Sequence, residues 1–486
     1  MLALLNSPGY SYDVHSLIKA FYPEENVRIV TDAAESADIP VVSVFVSSGD
    51  VRDGMIVSGI VRVTFPSQKG VITRERQYHD EDRAGVKNHL KQVLYEALTE
   101  VTQKELPWGT MTGIRPVKVP MKMITEGASD EEIADYMKSV YLCSEEKISL
   151  ATAIAHRERK VIDTLEGNGF SLYIGIPFCP TTCLYCSFTS YPIVSWRERT
   201  DEYLNAVKKE LAFFSKYYSG RKCDSIYIGG GTPTTLTAEQ LADLAAYVRD
   251  LFDLTKLKEF TVEAGRPDSI TSGKMQALYE SGVTRISVNP QTMNDKTLGI
   301  IGRRHSVEDV YRAFETARAA GFSNINTDLI LGLPGEDETD VANTFARIKE
   351  IAPASITVHS MAIKRAAGMH TFLEEHKDIK SRNTKRMMEI AHECAASLGL
   401  VPYYLYRQKN MAGNFENIGY AAPENFGIYN IVIMEEVSDI AAVGAGTISK
   451  RIFPEGRIER CDNVKDVALY IDRIDEMTER KRTLFS

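Results

Sequence analysis

The sequence predicts an α/β protein whose central part is an incomplete (β/α)6, TIM-like barrel. Between residues 166 and 365, short β-branched or aromatic runs alternate with helical patterns, and turn residues separate the two. This alternation is typical of βαβ units and a parallel sheet. Right-handed crossovers roll such a series into a barrel or an open twisted sheet. Six units are fewer than the eight of a full barrel.

The predicted strands and helices follow one another along this part of the chain. The strands are 171–176, 224–229, 258–264, 284–290, 324–331 and 354–360. The helical patterns are 198–218, 237–252, 272–282, 306–321 and 338–351. In such folds the chemistry lies at the C-terminal ends of the strands, where the loops converge.

Three further parts are predicted on either side of the barrel. Residues 1–105 form an N-terminal α/β domain, in which "VVSVFVS" and "GIVRVTF" are strands and residues 84–102 are a helix. Residues 106–165 form a helical connector that opens with the unusual segment "LPWGTMTGIRPVK". Residues 366–486 form a C-terminal α+β domain that we expect to cover the substrate.

Composition narrows the class of protein. Of 486 residues, 44% are hydrophobic and 25% charged, as in soluble globular proteins. A net charge of −9 argues against a nucleic-acid partner, which needs a basic face. No signal peptide and no apolar run of about 18 residues is found, so we expect a cytoplasmic protein without a membrane span.

Three of the seven cysteines form one cluster, Cys179, Cys183 and Cys186, spaced C-x3-C-x2-C directly after the first barrel strand. An odd count with one cluster predicts reduced thiols and a metal site rather than disulfides. A [4Fe–4S] cluster normally takes four thiolates, so three leave one iron with an open position. The alternative is a zinc site with a remote fourth ligand, although structural zinc usually shows a second cysteine or histidine pair.

This motif, placed after the first strand of a partial barrel, resembles the radical S-adenosylmethionine (SAM) superfamily. The resemblance implies a radical SAM barrel over 166–365, with the open iron chelated by the amino and carboxylate groups of SAM. It also implies that an electron from the cluster cleaves SAM to a 5′-deoxyadenosyl radical.

A second signal is "IYIGGGTPTTL" after the second strand. Its glycines let the backbone approach a small ligand closely. Alone they would indicate little more than a tight turn, but joined to Thr232-Pro233-Thr234, one βα unit after the cysteines, they are a specific signal. The segment resembles the one that receives the ammonium group of SAM. Glu263, at the end of the third strand, is suited to pair with that ammonium, and Asp328 to bind a ribose diol.

These spacings are similar to those of the oxygen-independent coproporphyrinogen III oxidase (dehydrogenase) family, and the chain most resembles its HemZ-type branch. The resemblance implies that the three cysteines hold the cluster and that ten further positions bind cluster and SAM. These are Tyr173, Tyr185, Gly230, Gly231, Thr232, Glu263, Gln291, Arg303, Asp328 and Ala362.

The family activity is the oxidative decarboxylation of two propionates of coproporphyrinogen III, which gives protoporphyrinogen IX in anaerobic heme biosynthesis. The resemblance therefore implies a tetrapyrrole substrate and one or two molecules of SAM. It also implies a reducing electron donor such as flavodoxin or ferredoxin.

The chain departs from the family at two places. Phe188 stands where the established oxidases have a further cysteine, as in the heme chaperones of the same branch. Those chaperones have an H-N-x-x-Y-W motif, but here the nearest stretch is "ENIGYA", with Glu416 for the histidine and Ala421 for the tryptophan. Two alternatives stay open: a chaperone that delivers heme, and other radical chemistry on heme such as anaerobic ring opening.

A tetracarboxylate substrate needs basic partners, for which Arg is well suited. The candidates are Lys364, Arg365, Arg407, Lys409, Lys450 and Arg451. Tyr403, Tyr404 and Tyr406 are candidates for a wall beside a flat macrocycle, although aromatic clusters are more often core. The segment "GAGT" at 444–447 is either a close-approach site or a turn.

Overall fold

The computed structural model describes the chain except for residues 24, 33–41, 50, 53, 68–69, 114, 363–367, 409–414 and 486. It divides into two compact units. The first comprises Met1–His156 and Arg407–Asn410, and the second comprises Arg157–Tyr406 and Met411–Ser486. The division into four domains made from the sequence stays a prediction.

The first unit contains a mixed sheet with helices packed on it. Its strands are β1 Leu2–Leu5, β2 Arg28–Val30, β3 Val42–Ser48, β4 Val51–Arg52, β5 Met55–Ser67 and β6 Gly70–Glu81. Its helices are α1 Ser11–Phe21, α2 Arg83–Thr102, α3 Lys118–Thr125 and α4 Asp130–Tyr141, and α5 Glu145–Ile162 begins in it. The strand order is β2-β1-β3-β5-β4, with β6 paired to β5.

The sequence pattern explains this unit. In β3, alternate valines such as Val42 and Val44 are buried, as expected for a strand with one face on the core. Leu90 and Leu94 of α2 lie four residues apart and pack into the same core. The two predicted strands and the predicted helix of this region are therefore confirmed.

The second unit is built on an eleven-stranded sheet. The remaining strands are β7 Phe170–Ile176, β8 Phe178–Cys179, β9 Tyr191–Pro192, β10 Cys223–Gly230, β11 Glu259–Gly265, β12 Arg285–Val288, β13 Ile325–Leu331, β14 Ser355–Ser360, β15 Val401–Tyr406, β16 Asn417–Ala421, β17 Asp439–Val443, β18 Ile448–Ile452 and β19 Ile458–Asp462. The sheet order is β15-β16-β14-β13-β12-β11-β10-β7-β17-β18-β19, and β8 pairs separately with β9.

The helices of this unit are α6 Thr200–Tyr217, α7 Ala238–Leu251, α8 Ser272–Glu280, α9 Asp295–Ile300, α10 Val307–Ala319, α11 Glu338–Ile351, α12 Met369–Glu375, α13 Lys385–Ser397, α14 Ile428–Glu435, α15 Val467–Asp472 and α16 Ile474–Phe485. The six predicted strands correspond to β7 and β10–β14, which pair in parallel in chain order. The five predicted helices correspond to α6, α7, α8, α10 and α11. The partial-barrel prediction is confirmed.

The sheet extends beyond the prediction at both edges. Strand β17, from the C-terminal region, pairs in parallel with β7 and makes a seventh parallel strand. At the other edge, β16 pairs antiparallel with β14 and β15. Among the described residues, every helix is too short or too polar to pass through a bilayer.

Candidate functional site: the cysteine loop and the strand ends

The three clustered cysteines lie on a loop fixed at both ends. Cys179 closes β8, which pairs in parallel with β9 on the far side of the loop. Within the loop, the Cys186 N–H donates to the Cys183 carbonyl at 3.1 Å. The Leu184 N–H donates to the carbonyl of Ile301 at 3.0 Å, which ties the loop to the segment after α9. None of the three forms a disulfide, and all three are partly buried.

Polar side chains approach two of these sulfurs. The Thr232 hydroxyl donates to Cys179 Sγ at 3.6 Å. The guanidinium of Arg303 lies near Cys183 and donates to the Tyr185 hydroxyl at 3.0 Å. Burial raises the pKa of the Cys179 thiol to about 11. A metal would therefore have to displace a proton here, as thiolate ligation requires.

The donor set fits an iron–sulfur cluster. Within the described ranges, no three His, Cys, Asp or Glu side chains converge on the position of a single metal ion. A zinc ion needs its ligands within about 2.3 Å of one point, whereas each thiolate of a cubane binds a different iron. Three spaced thiols on one short loop match the second requirement.

The glycine run brings the end of β10 against the cysteine loop. The Gly231 N–H donates to the Ile176 carbonyl at 2.8 Å, and the Thr232 N–H donates to the Phe178 carbonyl at 2.7 Å. A Cβ at Gly231 would lie 2.6 Å from that Phe178 oxygen, so this contact alone requires glycine. Gly230 has φ +106°, a conformation that glycine adopts without strain.

Glu263 lies beside this run and has only neutral hydrogen-bond partners. The Tyr227 hydroxyl donates to Oε1, and the Gly230 N–H donates to Oε2 at 3.2 Å. No Lys or Arg of the described chain forms an ion pair with it. Burial, followed by the nearby Asp328, raises the pKa of Glu263 to about 7. A cationic group brought by a ligand would offset this desolvation.

Asp328 differs from Glu263 in being held ionised. Burial raises its pKa, but the nearby His359 and the polar side chains of Asn326 and Thr357 outweigh that effect and leave the pKa below its ordinary value. The His359 Nε2 lies 3.8 Å from Oδ2, and the Asn326 amide donates to Oδ1 at 2.7 Å. Asp328 is thus an acceptor suited to hydroxyl groups.

Gln291 carries backbone strain at the same edge of the sheet. Its φ is +73°, unusual for a residue with a side chain, and such outliers cluster at functional sites. Its N–H donates to the Asp328 carbonyl at 3.0 Å, and its carbonyl accepts from the Ile330 N–H at 2.9 Å. The buried side-chain oxygen has no hydrogen-bond partner among the described residues, which leaves an acceptor for a ligand.

Three tyrosine rings stack beneath Glu263. The rings of Tyr227 and Tyr429 have centroids 4.7 Å apart, and Tyr173 lies 6.0 Å from Tyr227 and 5.9 Å from Tyr429. Sequence analysis identified Tyr173 but missed the other two and His359. Tyr227 lies two residues before the glycine run, so its position in the sequence could have indicated it. Tyr429 comes from α14, and no sequence motif indicated it.

The other predicted positions are dispersed. Ala362 follows β14 and is half-buried. Lys364, Arg365 and Lys409 lie outside the described residues. Lys450 pairs with Glu436 at 3.4 Å, and Arg451 donates to the Leu484 carbonyl at 2.7 Å.

Tyr403 and Tyr404 are buried in a small core with Ala421 and Ile431, so they pack the fold rather than wall a cavity. Phe188 is 70% exposed, whereas Glu416 is fully buried. The residue at the chaperone's histidine position therefore lies inside the unit.

Comparison with known proteins agrees with this geometry. Residues 173–348 match the radical SAM superfamily. The chain is 37% identical over 483 residues to the oxygen-independent coproporphyrinogen-III oxidase-like protein HemZ of Bacillus subtilis (strain 168), covering 96% of this chain and 94% of that protein. The chain belongs to the HemZ-like radical SAM proteins. Membership implies a [4Fe–4S] cluster and SAM.

Two further similar proteins are named for two different activities. The heme chaperone HemW of Bacillus subtilis (strain 168) is 37% identical over 206 residues, 42% of this chain and 54% of HemW. The solved structure of coproporphyrinogen III oxidase (HemN) from Escherichia coli superposes with a TM-score of 0.51 at 22% identity, covering 67% of this chain and 73% of HemN. The second likeness concerns the fold alone.

Proposed function

We propose that this protein is a radical SAM oxidoreductase that oxidatively decarboxylates two propionates of coproporphyrinogen III. The products are two CO2 and protoporphyrinogen IX, in which two vinyl groups replace those propionates. The observation that carries the proposal is the similarity to a coproporphyrinogen-III oxidase-like protein across 96% of the chain, because it extends well beyond the barrel.

In this proposal Cys179, Cys183 and Cys186 hold the [4Fe–4S] cluster. When bound, the cluster supplies the electron that cleaves SAM, and the resulting radical abstracts a hydrogen atom from the substrate. Arg303 keeps Tyr185 of the cysteine loop in place, since it donates to the hydroxyl of that residue. The cluster needs a reducing electron donor such as flavodoxin or ferredoxin.

The strand ends would orient SAM. The carboxylate of Glu263 accepts a hydrogen bond from the ammonium group of SAM. This contact supplies the counter-charge that Glu263 lacks among the described residues. Asp328, held ionised, accepts from the ribose hydroxyls. The side-chain oxygen of Gln291, which has no partner among the described residues, is an acceptor for the ligand. Gly230, Gly231 and Thr232 form the stretch of backbone that passes close to the ligand. With these roles, both strand-end carboxylates, Glu263 and Asp328, take part in binding SAM.

The balance of the reaction is simple. Each propionate loses one hydrogen atom, one CO2 and one further electron, and a vinyl group remains. The hydrogen atom ends on 5′-deoxyadenosine, and the electron passes to an acceptor. Because two propionates react in each substrate molecule, its conversion requires two SAM cleavages.

A heme-delivering chaperone is the second candidate. It is favoured by Phe188, which stands where the oxidases have a cysteine, and by the similarity to HemW. Position 416 argues for the enzyme, because a fully buried glutamate is a poor axial ligand compared with the histidine of the chaperones.

Anaerobic turnover separates the two candidates. Reconstituted protein is incubated with SAM, a reductant, an electron acceptor and coproporphyrinogen III. We expect two CO2 lost per molecule, with 5′-deoxyadenosine formed in step and no stable heme binding. Stoichiometric heme binding with unchanged coproporphyrinogen would assign the protein to the chaperones instead.

A further inference from the structure

A buried arginine beside the cysteine loop has no part in the function proposed above. Arg266 follows β11 directly and is only 3% exposed. Its guanidinium donates two hydrogen bonds to the Asp268 carboxylate, from Nε to Oδ1 at 2.9 Å and from Nη2 to Oδ2 at 2.6 Å. The Ser269 N–H donates to the Arg266 carbonyl at 3.0 Å and closes a short turn around this pair. The turn therefore fixes the plane of the guanidinium.

The third nitrogen of this guanidinium contacts the cysteine loop. Nη1 of Arg266 donates to the Thr181 hydroxyl at 2.6 Å and to the Thr181 carbonyl at 3.2 Å. Thr181 is the middle residue of the three that separate Cys179 from Cys183. Its hydroxyl in turn donates to the Gly302 carbonyl at 3.2 Å. The middle of the loop is thus held both by the end of β11 and by the segment after α9.

These contacts matter because they are the ones that fix this part of the loop. For residues 180–182, the described hydrogen bonds are those of Thr181 given above. The next described backbone contact, made by the Leu184 N–H, comes only after Cys183. The separation of the Cys179 and Cys183 sulfurs therefore depends on how Thr181 is held. A cubane binds each thiolate at a different iron, so an altered separation weakens the cluster.

Arginine is suited to hold two partners at once. Its planar guanidinium presents five N–H groups in a fixed fork, so it can bind a carboxylate along one edge and a further acceptor along another. Here the Asp268 carboxylate, whose side chain is 24% exposed, occupies one edge, and Thr181 occupies the other. A lysine ammonium is a point charge on a flexible stem and lacks this geometry. The pair therefore sets the position of Thr181 rather than only supplying charge.

We propose that Arg266, oriented by Asp268, is a positioning residue for the iron–sulfur cluster, which holds Cys179 and Cys183 at the separation that the cluster requires. It acts through Thr181 and does not itself bind iron. This role rests on the cluster-binding part of the proposed function and does not depend on which substrate the radical attacks. Hydrogen bonds from a charged donor, such as those of Arg266, are stronger than neutral ones.

The test compares full-length variants after anaerobic reconstitution. The rate of iron release to a chelator measures how firmly each variant holds the cluster, and the electron paramagnetic resonance spectrum of the reduced cluster reports its geometry. Arg266→Lys keeps the charge but loses the fork, and Asp268→Asn weakens the orienting pair. We expect both to release iron roughly threefold faster or more, the order expected for loss of one hydrogen bond, with a changed spectrum. Thr181→Val, which keeps the carbonyl acceptor but loses the hydroxyl, should release iron about twofold faster.

Arg249→Lys is the matched control and should equal the parent in both measurements, because its guanidinium donates to the Ser281 carbonyl at 3.0 Å, between α7 and the end of α8. If Arg266→Lys does not fold, Asp268→Asn and Thr181→Val decide. Iron release at the parent rate in these two variants would overturn the positioning role alone. Faster release with an unchanged spectrum would overturn it too, since that would indicate general loosening of the fold. A parent that takes up no iron would contradict the proposed function as well.

Discussion

Two glutamates of the second unit, Glu210 and Glu263, lie in opposite surroundings. Glu210 of α6 is fully buried and accepts from a cation and three other donors. These donors are Lys481 Nζ, the Asn463 amide, the Tyr470 hydroxyl and the Gly444 N–H. Lys481 is fully buried as well, so the charge is compensated inside the fold.

Glu263 has two neutral donors and, among the described residues, no cation, and its pKa is raised to about 7. A buried carboxylate with its own cation can hold elements together: Glu210 fixes Gly444 at the end of β17, beside the strand that leads to the cysteine loop. A buried carboxylate without a described cation, such as Glu263, supports the proposal that a ligand brings one.

The largest effect in this comparison is expected from breaking the Glu210 pair. Lys481→Met leaves a buried carboxylate without its cation, which should lower the free energy of unfolding by about 3–5 kcal/mol. Urea unfolding measures the loss. Lys209→Met is the control, since its side chain is 60% exposed and its ion pair with Asp475 spans 3.7 Å. Stability equal to the parent in Lys481→Met would show that Glu210 does not depend on this cation.

Glu263→Gln should have the opposite effect on the ligand-free protein. A carboxyl whose pKa rises from 4.5 to about 7 on folding stabilises the protein below pH 4.5, and this advantage is lost as pH rises through 7. Above pH 7 the parent bears the desolvation of the charge. The variant should therefore be more stable than the parent at pH 8, on the order of 2 kcal/mol. Thermal unfolding at pH 5 and pH 8 tests this; a variant less stable at pH 8 contradicts it.

SAM binding should change in the reverse direction. Loss of a charge-assisted contact costs about 1.5–3 kcal/mol, which is roughly tenfold or more in affinity. Glu263→Gln should bind SAM at least that much more weakly at pH 8. Affinity of the parent should also fall as pH drops below 7 and Glu263 takes up a proton, whereas the variant should lack this step. Calorimetry across this pH range measures both, and equal profiles would remove Glu263 from the site.

The smallest effect concerns Tyr227. Its hydroxyl donates to Glu263 and lowers the pKa of that carboxyl, so Tyr227→Phe should raise the midpoint of the SAM pH profile. A neutral hydrogen bond contributes about 1 kcal/mol, or somewhat less than one pH unit. Tyr429→Phe is the matched control, because its ring stacks on Tyr227 without a hydrogen bond to the carboxylate. A shift of the same size in both variants would show that the Tyr227–Glu263 hydrogen bond is not its cause.

The sequence predicted the six strands of the barrel because each is short, β-branched or aromatic, and followed by a helical pattern. It did not predict β17, whose "DIAAV" is rich in alanine and carries no strong strand signal. Its pairing with β7 joins Asp439 to Phe170, a contact that only the folded chain brings about. Tertiary packing, rather than local strand propensity, therefore determines that β17 pairs with β7.

The candidate site was likewise predictable only in part from the sequence. The strand-end positions Glu263 and Asp328 were predictable, because the carboxyl ends of parallel strands meet at one edge. Their surroundings were not: the charge state of Asp328 depends on His359 of the next strand, and Tyr429 arrives from α14. The positive φ of Gln291 could not be predicted either, since glutamine does not favour this backbone conformation.

The central claim is that three cysteines hold a cluster with one iron open to SAM, and metal analysis after anaerobic reconstitution tests it most directly. We expect about four irons and four sulfides per chain, the content of one cubane, and 5′-deoxyadenosine on reduction with SAM. Cys179→Ala, Cys183→Ala and Cys186→Ala should each lose all three signals, while Cys223→Ala, at a buried thiol outside the loop, should keep them. One tightly bound zinc per chain, with no iron and no 5′-deoxyadenosine, would contradict the account.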